Sequence, residues 1–298
     1  MTIETFDRTL PHGITLSCRA SGPVGAPLLV FLHGFPEAAF AWDTMLERFG
    51  RRLRCIAPNL RGFERSSAPA DVDAYRARHL VADIVALIDA EAAHGGGRVK
   101  ALIAHDWGGA VAWNLAALQP ERLERLVIVN SPHPATFLRE LQGSPLQQAA
   151  SSYMHFLCRP DAEALLAEND FARLFGFFSH HNHQPAWLTE AVKDRYREVW
   201  RLGLTGGCNY YRASPMRPPL GPDDPVMKLV LPPELVTVRV PTTVVWAEDD
   251  VALPPSLVDG LGLYVPDLRL HRVPGATHWI VHEQPDLVAA QIEAALSR

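Results

Sequence analysis

Cysteine is scarce in this sequence, and its positions form no pattern typical of a bound metal or of disulfide bonds. The 298 residues include four cysteines, Cys18, Cys55, Cys158 and Cys208, and none of them forms a C-x-x-C pair. Disulfide-stabilised proteins have a much higher cysteine density, and structural zinc sites commonly pair cysteines at that spacing. We therefore predict unpaired thiols and a protein that binds neither a metal ion nor another cofactor.

The sequence also lacks long apolar runs and an excess of positive charge. No apolar run is long enough to cross a bilayer, and the N-terminal segment carries acids instead of the apolar stretch of a secretion signal. With 28 Lys and Arg against 33 Asp and Glu, the net charge of -5 offers no attraction to nucleic acid or anionic lipid. We expect a cytoplasmic protein whose partners are a small, uncharged or weakly polar organic substrate and water, with no nucleic acid or membrane. Homo-oligomer formation is left open.

Five short apolar runs predict the strands of one sheet. With 48% hydrophobic residues, a chain of this length can bury a large core. Most runs are apolar on both faces, which is typical of parallel strands covered by helices on each side. Between the second and third runs, the apolar residues from Leu80 to Ile88 recur at helical spacing. The predicted fold class is therefore α/β, a mostly parallel, doubly wound sheet with strands at Leu28–Leu32, Leu53–Ala57, Val99–Ala104, Leu126–Val129 and Thr242–Trp246.

The alternation of strand and helix stops after residue 134. From there to about residue 240 the sequence has no strand-like run and is rich in aromatic residues and helical patches. The proline-rich stretch Pro215–Pro233 suits a linker that returns to the sheet. We predict a core formed by residues 1–134 and 236–298, and a helical cap with its return linker formed by residues 135–235.

The segment 99–112 has the pattern of an apolar strand, a tight turn and a helix, with Asp106 in the turn. In a nucleophile elbow the apex residue has strained backbone angles, which require small residues two positions away. Ala104 and Gly108 are such residues, so we predict that Asp106 is a nucleophile. The alternative is that Asp106 caps the following helix, a common use of aspartate. The serine version, G-x-S-x-G, is absent from the sequence, which disfavours ordinary esterase chemistry.

The segment His33–Glu37 leaves a predicted strand through a turn that contains glycine and proline. Such a turn can direct a backbone N–H at the nucleophile, although a plain strand-ending turn is the alternative. We expect the N–H groups of Phe35 and Trp107 to form an oxyanion hole that stabilises charge on the Asp106 carbonyl oxygen. The residues expected to line the substrate pocket are His33, Pro36 and Trp107.

Two acids and a histidine follow later predicted strands, in the chain order nucleophile, acid, histidine that this architecture uses. Asp249 and Asp250 end one strand, and His278 follows the next apolar run. We expect His278 to be the general base and Asp250 to orient it, while the residues alone leave Asp249 open as the acid. Taken singly, acid clusters are usually solvated loops and lone histidines are usually structural.

The sequence resembles the epoxide hydrolase branch of the α/β-hydrolase superfamily along nearly its whole length. The resemblance rests on the segments His33–Glu37, Arg61–Phe63, His105–Gly109, Asn130–Pro134, Ala247–Asp250 and Gly275–Trp279. It implies an α/β-hydrolase fold with an inserted cap, an acid at Asp250, and two cap tyrosines that bind the epoxide oxygen. The matching segments assign these to Tyr153 and to Tyr211, the latter chosen over Tyr210 because it directly precedes Arg212.

These residue types suit epoxide opening through a covalent ester. Aspartate is ionised at neutral pH, so Asp106 can attack an epoxide carbon without a base. Phenols remain protonated there, so Tyr153 and Tyr211 can donate hydrogen bonds to the developing alkoxide. Water activated by His278 would then split the ester and release a vicinal diol. Aromatic packing within the cap is the alternative interpretation of both tyrosines.

Dehalogenation is the main alternative, because an aspartate can also displace halide from carbon and the Trp107 indole could bind that halide. Haloalkane dehalogenases usually have a second halide donor, which Phe35 cannot provide, but Trp187 and Trp200 leave a donor from the cap open. Haloacetate dehalogenases typically have arginine after the nucleophile and His-Trp where this chain has Tyr153 and methionine. We therefore rank epoxide hydrolysis first and a haloalkane or haloacetate dehalogenase second.

Two further alternatives are weaker. A non-catalytic ligand-binding protein with the same fold would usually lack a catalytic residue, and none is missing here. The segment Ser179–His183 contains three histidines. No second group of ligands accompanies them, so metal binding there is disfavoured.

Overall fold

A computed structural model of the chain describes residues 2–92, 97–179 and 184–298. Within these ranges, eight strands form one sheet: β1 (Glu4–Thr9), β2 (Thr15–Ser21), β3 (Leu28–Leu32), β4 (Arg54–Pro58), β5 (Ala101–His105), β6 (Leu126–Val129), β7 (Thr242–Ala247) and β8 (Leu268–Val273). Their order across the sheet is β1-β2-β4-β3-β5-β6-β7-β8. Strand β2 pairs antiparallel with β1 and β4, whereas the strands from β4 to β8 all pair in parallel.

The parallel part of the sheet confirms the predicted fold class. Every residue of β3 to β7 is buried, as expected for strands that are covered on both faces. The bounds of β3 and β6 are those predicted, and β4, β5 and β7 differ from their predictions by one or two residues at their ends. Because these strands are parallel, their carboxyl ends meet at the same edge of the sheet, where ligands bind in open α/β folds.

Helices cover both faces of the sheet. One face packs against α2 (Ala77–Glu91) and α3 (Asp106–Leu118), and the other against α1 (Asp43–Phe49), α11 (Ile280–Glu283) and α12 (Pro285–Leu296). Successive side chains of a strand point to opposite faces. Accordingly, Val30 of β3 belongs to the apolar cluster that contains α2, and Phe31 to the cluster that contains α12.

Between β6 and β7, the described residues form helices and turns. The α-helices are α4 (Pro134–Gly143), α5 (Pro145–Ala150), α6 (Tyr153–Leu157), α7 (Ala162–Phe177), α8 (Glu190–Arg201), α9 (Thr205–Ala213) and α10 (Pro233–Val236). Helix α7 is broken at residues 168–171, where the backbone is not helical. No helix in the described ranges is both long enough and apolar enough to span a bilayer.

Two glycines bring this helical region against the sheet region. A Cβ added to Gly206 of α9 would lie 2.3 Å from the Cα of Gly62 in the loop after β4. Because that distance is far below a van der Waals contact, only glycine permits the two backbones to approach so closely. The approach places α9 and its tyrosines above the carboxyl edge of the sheet.

Candidate active site

Asp106 lies in the turn between β5 and α3 and has the strained backbone predicted for the apex of an elbow. Its φ is 48°, in the left-handed region that residues other than glycine rarely adopt. A Cβ at Gly108 would lie 2.6 Å from the carbonyl oxygens of Leu32 and His33, so the position two residues after Asp106 must be small. The helix-cap alternative is not what the structure shows, because His105 is the N-cap of α3 and no side chain caps that end.

The loop after β3 provides the hydrogen bond to the Asp106 carboxylate. The backbone N–H of Phe35 donates to Asp106 Oδ1 at 2.7 Å. A Cβ at Gly34 would lie 2.3 Å from Asp106 Oδ1, so the loop can approach the carboxylate only because residue 34 is glycine. Trp107 follows Asp106 at the start of α3, where backbone N–H groups have no acceptor within the helix.

The prediction that His33 and Pro36 line the substrate pocket needs correction. His33 is fully buried, and its ring joins two backbone segments: Nδ1 donates to the Gly34 carbonyl at 2.9 Å, and Nε2 accepts from the Leu60 N–H at 3.0 Å. Burial lowers the pKa of His33 to about 4, so its ring is neutral at physiological pH. Pro36 borders a void of about 10 Å3 beside Phe35 and is not among the described residues that line the cavities over Asp106. Both residues therefore shape the loop and lie outside the walls of the main cavity.

His278 lies between the two aspartates that the sequence assigns to it. Its Nδ1 is 2.6 Å from Asp250 Oδ2, and its Nε2 is 3.7 Å from Asp106 Oδ2. Burial by itself lowers the pKa of His278, but the charge of Asp250, its hydrogen bond and the charge of Asp106 raise it to about 9. Asp249, the open alternative, is exposed and joins this site only through its backbone N–H, which donates to the Ala276 carbonyl at 3.0 Å.

Asp250 is buried and held by donors that keep it ionised. Oδ2 also accepts from Asn130 Nδ2 at 2.8 Å, and Oδ1 accepts from the backbone N–H groups of residues 252 and 253 at 2.9 and 3.0 Å. Burial raises the pKa of Asp250, but the charge and hydrogen bond of His278 and the bond from Asn130 outweigh it and lower the pKa overall. Sequence analysis gave Asn130 no role, although its place at the end of β6 could have indicated one.

A cavity of about 250 Å3 opens over Asp106 and His278. A second cavity, of about 80 Å3, is also lined by Asp106 and is bounded by Trp107. Asp106, Tyr153, Tyr211 and Leu253 border both cavities, so the nucleophile lies where the two spaces adjoin. Most other wall residues are apolar, among them Phe177 and Trp279 in the larger cavity and Phe137 and Met216 in the smaller one.

The two tyrosines assigned from the cap line these cavities with their rings 6.0 Å apart. Burial and the nearby charge of Asp106 raise the pKa of Tyr153, and burial with Tyr153 and Asp106 raises that of Tyr211 well above its ordinary value. Both phenols are therefore protonated at neutral pH. Tyr210 is also buried, but its hydroxyl donates to the Arg61 carbonyl at 3.0 Å, away from the cavities.

Two tryptophans named in the sequence analysis lie outside the cavities, and most of the histidine segment lies outside the described ranges. Trp200 Nε1 donates to the Pro36 carbonyl at 2.7 Å, and Trp187 stacks on His282 with ring centroids 4.2 Å apart. Neither indole is among the described residues that line the two cavities. Of the histidine segment Ser179–His183, residues 180–183 lie outside the described residues.

Comparison with known proteins identifies the family of the chain. Residues 27–285 match the alpha/beta hydrolase fold family. The AB hydrolase superfamily protein YfhM of Bacillus subtilis is 36% identical over 282 residues, covering 93% of this chain and 92% of that protein. Epoxide hydrolase 4 of Mus musculus is 31% identical, covering 98% of this chain and 79% of that protein.

Solved structures give the same result. A structure described as a novel epoxide hydrolase from metagenomes of hot environments superposes with a TM-score of 0.87, at 39% identity and 99% coverage of both chains. The Bacillus megaterium epoxide hydrolase, solved in complex with an inhibitor, superposes with a TM-score of 0.88, at 28% identity, covering 98% of this chain and 100% of that one. The chain is therefore a hydrolase that belongs to the epoxide hydrolase branch of the α/β-hydrolase superfamily.

Proposed function

We propose that this enzyme opens an epoxide to a vicinal diol through a covalent ester on Asp106. One observation carries the proposal: a carboxylate at a strained elbow faces two protonated phenols across a cavity and has a histidine, oriented by a second carboxylate, 3.7 Å away. Such a site combines a nucleophile, proton donors and a base, which are the groups that two-step epoxide hydrolysis needs.

In the first step Asp106 Oδ2 attacks an epoxide carbon and the carbon–oxygen bond of the ring breaks. Oδ2 is the oxygen left free for attack, because Oδ1 accepts the hydrogen bond from Phe35. The electron pair of the broken bond goes to the epoxide oxygen. This oxygen accepts hydrogen bonds from Tyr153 and Tyr211 and then a proton from one of these phenols, which becomes a phenolate. Their position on the wall shared by both cavities supports this role.

In the second step water attacks the Asp106 carbonyl carbon while His278 Nε2 accepts a proton from that water. Negative charge develops on Oδ1, where the Phe35 N–H donates and where we propose the Trp107 N–H as the second donor. The bond between this carbon and Oδ2 then breaks, and the diol leaves with Oδ2 and the proton that His278 returns. The second proton of the water remains on the new Asp106 carboxyl group and is then lost to the phenolate, which restores both the carboxylate and the phenol. Asp250 stabilises the imidazolium that forms between these events.

The substrate proposed for this site is a small, uncharged or weakly polar epoxide. The cavity walls are largely apolar, which favours such molecules over charged ones. The two cavities that share Asp106 would accept substituents of unequal size on the two epoxide carbons. The larger substituent is expected in the cavity of about 250 Å3 and the smaller one in that of about 80 Å3.

Dehalogenation ranks second, and the positions of the indoles count against it. Trp200 uses its N–H on the Pro36 carbonyl, and Trp187 stacks on a histidine outside the cavities. The donor from the cap that the sequence left open is thus not provided by either residue. The phenols of Tyr153 and Tyr211, which suit an alkoxide, line the same cavity as Asp106 instead.

The decisive experiment gives the same enzyme an aryl epoxide and, separately, a haloalkane and a haloacetate. We expect diol from the epoxide and no halide from the other two, and halide release without diol would reverse the ranking. Asp106→Asn should lose diol formation, and full activity of that variant would refute the nucleophile.

The covalent ester has its own test. A single turnover in ¹⁸O-labelled water should place the label in the Asp106 carboxylate, whereas label in the diol alone would show direct attack of water on the epoxide. With His278→Gln, intact-protein mass spectrometry should reveal an adduct of substrate mass that persists. Conversion of substrate by this variant with no adduct at any time would contradict the intermediate.

A further inference from the structure

The larger cavity over Asp106 meets solvent beside a glycine of the helical region. Two of the described residues that line this cavity are exposed, Gly176 near the end of α7 and Val251 in the loop after β7. A residue that lines a cavity and is also exposed lies where the cavity opens. The edge of the larger cavity at Gly176 and Val251 is therefore its mouth.

Gly176 is the one small residue in a stretch of large apolar side chains. Leu174, Phe175 and Phe177 surround it in α7, and Phe178 follows the helix. Leu174 and Phe178 are buried in the core, and Phe177 lines the larger cavity. Residue 176 is thus a gap in the apolar surface of α7 at the place where the helix borders the mouth.

Neither the backbone nor the packing requires glycine at position 176. Its backbone is helical, and a Cβ added to it would have no neighbouring atom within 4 Å. Gly108 and Gly206 differ in this respect, because a Cβ at either position would collide with backbone atoms. Glycine is also less favourable than alanine within a helix. What a side chain at residue 176 would occupy is open space at the mouth, so its absence matters for a ligand there.

The end of α7 is anchored to the site and cannot readily move to make room for a side chain. The indole Nε1 of Trp279 donates to the Phe177 carbonyl at 2.9 Å, which ties α7 to the loop that carries the base. The Phe177 ring packs edge-on against Phe35 and Tyr153, with ring centroids 6.0 and 5.9 Å apart. Because a retreat of α7 would break these contacts, a side chain at residue 176 would narrow the mouth instead.

We propose that Gly176 is a specificity-determining residue, which keeps the mouth open for epoxides whose larger substituent extends past it to the surface. The inference rests on the proposed function, since it concerns the substituent of an epoxide that reacts at Asp106. The cavity of about 250 Å3 is below the range of about 300 to 1,000 Å3 that is common for enclosed ligands, so a bulky substituent would not be enclosed. Ala150, Val251 and Ala252 also line this cavity, so the substituent would be apolar.

The test compares two epoxides that carry a small and a bulky substituent on the same ring, 1,2-epoxybutane and 4-tert-butylphenyl glycidyl ether. The measured quantity is the ratio of kcat/KM for the glycidyl ether to kcat/KM for 1,2-epoxybutane. In Gly176→Leu this ratio should fall at least about tenfold, because leucine narrows the mouth for the bulky substituent alone. In Gly176→Ala it should fall by a smaller factor. An unchanged or increased ratio in Gly176→Leu would overturn the inference.

Gly143→Leu is the matched control. Gly143 ends α4, is exposed and also has room for a Cβ, but it is not among the described residues that line the two cavities. Its ratio should be that of the wild type, and an equal fall in both leucine variants would overturn the inference. If Gly176→Leu does not fold, Gly176→Ala decides, because alanine favours the helix more than glycine does. An unchanged ratio in that variant would then overturn the inference.

Binding of a diol distinguishes failure of this inference from failure of the proposed function. If both epoxides give diol but the ratio does not fall in Gly176→Leu, the inference fails and the function stands. If neither epoxide is converted, calorimetry with 3-(4-tert-butylphenoxy)propane-1,2-diol decides. Binding to the wild type that weakens at least about tenfold in Gly176→Leu, and not in Gly143→Leu, would support the role of Gly176 while the function fails. Equal affinities, or no binding to the wild type, would overturn that role as well.

Discussion

The loss of charge on Asp106 when its ester forms should switch His278 from an acid to a base. In the free enzyme the pKa of His278 is about 9, with Asp250 contributing more than Asp106 to the rise. Asp106 Oδ2 is 3.7 Å from His278 Nε2. At that separation the two charges interact by about 1 kcal/mol at the dielectric constant of water and about 4 kcal/mol at an effective value near 20. Esterification should therefore lower the pKa of His278 by roughly one to three units.

Transient kinetics can separate the two steps. Attack by Asp106 does not need a neutral His278, so the rate of ester formation should change little between pH 6 and 9. Ester hydrolysis needs a neutral His278 as the base. The rate of hydrolysis should therefore rise with pH and reach half its maximum below pH 9, between about pH 6 and 8. Rapid-quench single turnovers, with the ester quantified by mass spectrometry, measure both rates.

Hydrolysis that titrates at or above pH 9 would refute the coupling between Asp106 and His278. So would a rate of ester formation that falls together with the rate of hydrolysis. Asp249→Asn is the matched control, because Asp249 is exposed and should leave both profiles unchanged. Asp250→Asn removes the main cause of the raised pKa, and should slow hydrolysis strongly while ester formation persists.

Three further predictions concern the walls, the loop and the stability of the protein. Tyr211→Phe should slow ester formation by about a hundredfold or more. Tyr210→Phe should form the ester at the wild-type rate and lose about 1 kcal/mol of unfolding free energy, because it loses the bond to the Arg61 carbonyl. Equal effects of the two variants on ester formation would contradict the assignment of Tyr211. Gly34→Ala places a Cβ 2.3 Å from the nucleophile, so diol formation should fall at least about a hundredfold with unchanged circular dichroism, and retained activity would contradict this. Burial lowers the pKa of His133 to about 4. The contribution of its neutral ring to the free energy of unfolding, at most about 3 kcal/mol, is therefore complete above pH 6.5 and is lost as the pH falls through 4. Between pH 6.5 and 4, the Tm of His133→Gln should fall less than the Tm of the wild-type protein. An equal fall in both proteins would refute this contribution of His133.

The strands that sequence analysis predicted are those with two buried faces. Strands β3 to β7 are continuous apolar runs because helices cover both of their sides. Of the other three strands, β1 and β2 were not predicted, and β8 was indicated only as the apolar run before His278. The two edge strands lack a continuous apolar run, since β1 is largely exposed and β8 places Arg269 and Arg272 among its apolar residues. Their pairing depends on neighbouring strands, which a short sequence window does not contain.

The positions of the principal site residues followed from chain order, but their partners did not. Asp106, Asp250 and His278 follow parallel strands, whose carboxyl ends share one edge of the sheet, so their proximity was predictable. The bond from Asn130 to Asp250 joins residues 120 positions apart, so the place of Asn130 after β6 could suggest a role at this edge of the sheet but not its partner. The structural role of His33 could not be predicted for the same reason, because its second hydrogen-bond partner is the N–H of Leu60 on another loop.

The loop 33–37 shows how a motif can be essential without touching substrate at most of its positions. His33 ties it to the loop after β4, Phe35 directs its N–H at Asp106, and Glu37 binds His105 beside the nucleophile. The helical region between β6 and β7 also contacts it, because Trp200 donates to the Pro36 carbonyl and α8 supplies the hydroxyl that binds Glu37. A shift of α8 would therefore act together on the Phe35 N–H that donates to Asp106 and on the hydrogen bonds of Glu37. Substitutions in α8 should then alter ester hydrolysis as well as substrate binding, although α8 residues are not among the described walls of either cavity.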